Sequence, residues 1–237
     1  RVGYYGDCIG GGSIGAILVF WNVGAAMIVF GGVIASSLVR YPLKNVIGLV
    51  GLVLKTIFLP KYSHHEEIKR FIEFAKIAKR EGLLALEQRC QKLKDPFLVK
   101  AIQLLVDGTS AEALARILET EIDGIRERHL IGKDMLESMA YTAPAFGLVG
   151  TLSGLVMMLR ELEDPAQIGE GMSAALVATF YGVLSANFIF APLGGKLELR
   201  SKEELMVKEM IMEGVLAIQV GDSPYIVGDK LMAFVAR

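Results

Sequence analysis

Neither sign of charge is in excess in this chain: 25 Lys and Arg stand against 26 Asp and Glu, for a net charge of -1. That balance excludes a basic nucleic-acid-binding surface and an acidic tail. Cysteine is nearly missing, with two residues, so no disulfide-rich secreted scaffold can form. Proline is scarce, at seven of 237 residues, and no segment is low in complexity, which excludes a disordered chain. His64, His65 and His129 are too few and wrongly spaced for a metal centre and are expected as exposed polar residues. No Walker A run occurs and no Ser/His/Asp set can be assembled, so an enzyme is not expected. Gly10 to Gly15 matches GxGxxG literally. No strand precedes it, and a lipid-length apolar run follows it, so it is not a nucleotide loop.

Charge is also missing locally, and this decides the class. Apolar residues make up 53% of the chain and mean hydropathy is +0.47. Three runs contain no Asp, Glu, Lys or Arg: Cys8 to Val39, 32 residues; Ser138 to Leu159, 22 residues; and Gly171 to Gly195, 25 residues. A bilayer core needs roughly 20 apolar residues in a helix. Buried soluble helices are the competing reading, but a chain this short could not cover all three. Orientation follows from the cations. Arg40 to Glu137 holds 17 Lys and Arg, and the tail from Lys196 holds six. The loop from Arg160 to Glu170 holds one, against four acids. Cytoplasmic loops carry the Lys/Arg excess, so the middle segment and the tail lie inside and the acidic loop outside.

The expected fold class is therefore all-α, a polytopic membrane protein with a helical cytoplasmic domain between spans two and three. Four spans are expected, the first largely absent from this sequence. Residues 1–39 would hold the outer end of a first span, a glycine turn and a second span from about Ala16. Residues 40–137 would form the cytoplasmic domain, 138–195 spans three and four, and 196–237 cytoplasmic C-terminal helices. Within the middle segment, Asn45 to Leu54 suits an interfacial helix. Ser63 with Glu66 fits a capping box opening a helix to Glu81. Gly82 interrupts, and Leu83 to Leu93 resumes a helical pattern. Asp95-Pro96 reads as an N-cap with Pro at N1, and Gly108 as a stop. Ser110 caps a long helix heading toward the second uncharged run.

The spans themselves contain small and hydroxylated residues on stripes. Gly147, Thr151 and Gly154 share one face, as do Ala175, Thr179, Gly182 and Ala186. Small residues let membrane helices approach closely, so Gly147, Gly154, Gly182 and Ala186 are candidate packing positions. Pro144 and Pro192 each remove a backbone donor and free the carbonyls four residues back, on Ala140 and Phe188. In hydrocarbon such groups need partners or a wet cavity. Pro144, Thr151, Thr179 and Pro192 are thus candidate ion-pathway residues. No carboxylate, lysine or histidine lies in any span, although ion transport ordinarily uses such a group. If the chain conducts, a partner supplies that group.

Several of these runs resemble one family. Ala143-Pro144-Ala145-Phe146-Gly147-Leu148-Val149-Gly150-Thr151-Leu152 is similar to the third span of MotA-type flagellar stator proteins, within the wider MotA/TolQ/ExbB proton channel family. Ala175 to Asn187 followed by Pro192 resembles the fourth span. Gly11 to Gly15, Val39 to Lys44, Arg80 to Glu87 and Asp95-Pro96-Phe97 resemble its other signatures, so the likeness covers nearly the whole chain. The resemblance implies a ring, usually of five subunits, around a MotB-like single-span partner whose aspartate carries H+ or Na+. It implies no resident cofactor, location in the bacterial inner membrane, and a cytoplasmic push on the rotor protein FliG. Rotor-facing positions fall at Lys79 and Glu87, with Arg80 as the alternative cation. Thr151 matches a threonine kept in sodium-type and in some proton-type stators, and Ala178 stands where some relatives have a second threonine, so the ion stays open. The TolQ/ExbB-like alternative, an energiser of an envelope process, places its large cytoplasmic segment after the first of three spans; a non-conducting membrane scaffold is the third possibility.

Overall fold

A computed structural model describes residues 20–58, 64–90, 93, 95–160 and 165–235. The glycine turn at 10–15, the start of the first uncharged run, the Ser63 cap and the loop acids Glu161, Glu163 and Asp164 lie outside those residues. Among the described residues there is no strand. The helices are α1 (Val23–Arg40), α2 (Leu43–Phe58), α3 (His64–Glu81), α4 (Ala85–Cys90), α5 (Pro96–Val106), α6 (Ala111–Arg160), α7 (Pro165–Leu184), α8 (Ala191–Val220) and α9 (Pro224–Val235). A π-helical turn, Ser185–Phe190, joins α7 to α8. Three stretches are long and apolar enough to cross a membrane: Val23–Arg40, Ala111–Arg160 and Ile168–Val220.

Local chemistry sets most boundaries. Asn22 caps α1, its side-chain oxygen accepting the Ala25 N–H at 2.9 Å. Asp95 caps α5 by accepting the Phe97 N–H at 3.0 Å, with Pro96 at the first position, as expected. The Ser110 hydroxyl accepts the Ala113 N–H at 3.4 Å where α6 begins. Gly82 (φ +87°), Gly108 (φ +73°) and Gly221 (φ +85°) follow α3, α5 and α8 in the left-handed conformation that ends helices. The helical stretch expected at Leu83 to Leu93 is shorter: a turn at Leu83 and Leu84 precedes α4.

The chain divides into two compact units. Among the described residues, one holds 20–52 together with 132–160 and 165–195. In it α1 packs on α7 through Ala25, Val29, Val177 and Ala178. A Cβ at Gly32 would overlap the Phe146 ring, so α1 also lies hard against α6. The Arg40 guanidinium donates to the Ser138 hydroxyl at 3.1 Å. The cation ending α1 and the first residue of the second uncharged run therefore share one level in this unit.

The other unit holds residues 53–131 and from 196 on. Its core draws Phe71 and Phe74 from α3, Leu98 and Ile102 from α5, Leu114 and Leu118 from α6, Met210 and Ile211 from α8, and Leu231 from α9. Lys208 is buried in it, and its ammonium lies 2.8 Å from both Asp95 oxygens and 5.2 Å from the Phe97 ring centre. A buried cation needs such partners. One carboxylate thus starts α5 and neutralises α8. Burial pushes the nearby Glu67 carboxyl up despite its bond to Arg70.

Candidate functional site

The site is built on the seam between α6 and α7. Glycines bring the two backbones into contact. A Cβ at Gly182 would lie 2.7 Å from the Ala143 carbonyl oxygen, 3.0 Å from the Gly147 Cα and 3.2 Å from the Pro144 Cα. At Gly154 it would lie 2.8 Å from the Gly171 carbonyl oxygen, and at Gly147 3.1 Å from that of Ala178. Gly147, Gly154 and Gly182 are thus brought together in one seam, with Pro144 at its edge. The absence of side chains is what permits this approach. Ala186, on the same sequence stripe, is buried within the π-helical turn.

Thr151 and Thr179 meet across this seam, hydroxyl to hydroxyl. The Thr151 Oγ1 also lies 3.0 Å from the Gly147 carbonyl oxygen and 3.3 Å from that of Ala175. Two hydroxyl protons are therefore shared among four oxygens. Such a cluster carries a negative field and suits a water or a partly dehydrated cation. Both threonines are half-buried.

The two prolines differ in setting. Pro144 sits inside α6, and the helix continues through it. The carbonyl it leaves without an intrahelical donor is on Ala140, as expected. Pro192 directly follows the π-helical turn and is exposed. There the register runs over five residues, ending with the Ala191 N–H on the Ala186 carbonyl. Pro192 itself lies in α8, one residue past that last five-residue bond.

Two polar positions at the outer end escaped the sequence reading. The Tyr181 hydroxyl donates to the Phe20 carbonyl and accepts the Asn22 N–H at 3.3 Å. It ties α7 to the start of α1 across 159 residues. No periodicity signals such a contact; a tyrosine within an uncharged span was the only hint.

Lys79 and Arg80 lie at the end of α3 and Glu87 in α4, on either side of the Gly82 turn. All three are exposed, and none forms an ion pair among the described residues. Their charges are available to a partner. His129, expected as exposed, is half-buried instead. Its Nδ1 lies 3.0 Å from the Ser201 hydroxyl. Burial pushes this imidazole down from its ordinary value despite Glu204 at 3.9 Å, which favours the neutral ring. His64 is half-buried as well. Among the described residues no group of three or more His, Cys, Asp or Glu could hold a metal ion.

Comparison with known proteins gives one consistent result. The sequence profile of the MotA/TolQ/ExbB proton channel family matches residues 89–210. Motility protein A of Borreliella burgdorferi is 40% identical over 220 residues, covering 91% of this chain and 83% of that protein. Chemotaxis protein PomA of Vibrio alginolyticus is 36% identical, covering 93% and 85%. The solved structure of C. jejuni MotAB superposes with a TM-score of 0.86 at 30% identity, covering 94% of this chain and 89% of its counterpart. The flagellar MotAB stator complex from Bacillus subtilis superposes at 0.83 with 31% identity, covering 94% and 90%.

Proposed function

The chain belongs to the MotA/TolQ/ExbB proton channel family, and we infer that it is the ion-conducting stator subunit of a bacterial flagellar motor. It turns proton or sodium flow into torque on the rotor. The observation that carries this reading is a seam with its oxygens in place and its acid missing. Thr151 and Thr179 place hydroxyls between two apolar helices, while no carboxylate, lysine, arginine or histidine lies in 20–39, 138–159 or 171–195. A MotB-like partner with one transmembrane carboxylate completes the site. Its proton or sodium ion is cargo, and no resident cofactor is needed.

Several subunits in the inner membrane, five in the ring the family suggests, surround the partner. Each charge crossing 100 mV releases about 2.3 kcal/mol. The relatives matched over most of the chain are motility and chemotaxis proteins. That favours the flagellar reading over an envelope energiser.

Lys79, Arg80 and Glu87 are the charges that press on a FliG-type rotor protein. Each reversal, Lys79→Glu, Arg80→Glu or Glu87→Lys, is expected to cost about 1–2 kcal/mol of contact and to slow swimming visibly, with recovery when the facing rotor charge is also reversed. Tethered-cell torque at two salt concentrations checks this. Unchanged torque in all three variants would remove these residues from the contact.

A further inference from the structure

A cavity of about 330 Å³ opens between α1, α6 and α7, walled by residues that include Asn22, Gly24, Ser153, Gly154, Arg160 and Glu170. Arg160 and Glu170 flank the loop that the charge distribution places outside. Ser153 lies seven residues before Arg160, about 10 Å further into the membrane at the rise of an α-helix. The cavity therefore penetrates from a charged rim into the uncharged slab.

Ser153 gives this cavity a polar wall. Three hydroxyls in these spans turn back on the backbone: Ser37 donates to the Val33 carbonyl, Thr142 to that of Ser138, Ser185 to that of Gly182. Ser153 makes no hydrogen bond to any described residue, and it is half-buried at the cavity wall. An unpaired polar group at this depth is costly against hydrocarbon and satisfied by water. Gly150 and Gly154, also in the wall, bracket Thr151 in sequence.

We propose that this cavity is a water-filled outer entrance through which the hydrated cation approaches the Thr151–Thr179 cluster, with Ser153 holding its water and Glu170 drawing cations to its mouth. The proposal rests on the conducting role inferred above, and its test separates the two.

In a background with Cys8→Ser and Cys90→Ser, single variants Ser153→Cys, Ala174→Cys and Leu152→Cys would be expressed with the single-span partner. Cells would be treated from outside with trimethylammonium-ethyl methanethiosulfonate, a cationic reagent that does not cross the membrane. Ala174 lines the same cavity, whereas Leu152 is 63% exposed on the apolar surface of α6. Ser153→Cys and Ala174→Cys are expected to react about tenfold or more faster than Leu152→Cys, because only ionised thiols in water react. Modification should lower ion flux about fivefold or more, since it leaves a fixed cation in the path. Reaction of both cavity variants no faster than Leu152→Cys would mean that lipid or the partner helix fills the space and would overturn the proposal. Fast reaction without loss of flux would also overturn it, by placing the wet cavity off the path. Absence of flux in the unmodified complex would instead count against the conducting role, while the reaction rates still report on water.

Discussion

Gly182→Val is expected to abolish swimming and to reduce the assembled stator to background, with Gly182→Ala intermediate. The reason is geometric. Even one methyl at this position would meet the Ala143 carbonyl oxygen at 2.7 Å and the Pro144 Cα at 3.2 Å. Both are backbone atoms in the middle of a continuous helix, so no side-chain rotation relieves the contact. Overpacking of this kind costs about 1–3 kcal/mol, and valine adds two further carbons. Separation of α6 from α7 would also pull Thr179 away from Thr151. Gly31→Ala is the matched control, because nothing lies within 4 Å of a Cβ there. It is expected to be neutral or stabilising by up to about 1 kcal/mol through helix propensity. Stator abundance in isolated membranes, measured beside swimming-halo diameter, separates failed assembly from failed conduction.

Thr151→Val is expected to leave the protein at normal abundance and to lower ion flux about tenfold or more, a barrier change of about 1.4 kcal/mol. Valine matches threonine in shape but removes the oxygen. Hydrogen bonds between membrane helices contribute only about 0.6–1.7 kcal/mol, so folding should tolerate the loss. Conduction should not, because the substitution deletes the centre of the four-oxygen cluster. Thr179→Val should behave alike. The double variant should be scarcely worse than either single one, because the two hydroxyls contact each other and act as a unit. Flux through the partner complex checks all three. Additive losses, or full flux in Thr151→Val, would reduce the pair to a packing contact.

Much of this architecture is legible in the sequence, and the parts that are legible share a cause. Uncharged runs, the Asp95-Pro96 cap and the glycines at 82 and 108 act within a few residues of themselves, so composition and spacing report them. The seam glycines are also local, since 3–4 spacing puts them on one face. The remainder depends on contacts between distant segments. Lys208 meets Asp95 across 113 residues, and His129 meets Ser201 across 72. A charged residue within an amphipathic stretch gives no sign that it will be buried, and a lone histidine none that it will be covered. The π-helical turn before Pro192 escaped for a different reason. One extra residue in a turn shifts register without altering the hydrophobic pattern, so only backbone geometry shows the turn.

The central claim is that this chain supplies the walls of an ion path and another polypeptide supplies its titrating acid. Reconstitution into proteoliposomes under an imposed pH or sodium gradient tests it most directly. The chain alone should leak no faster than empty vesicles. Addition of the single-span partner should give flux that disappears when the partner's membrane aspartate becomes asparagine. Ion flux through the chain by itself, or flux that survives that substitution, would contradict the account.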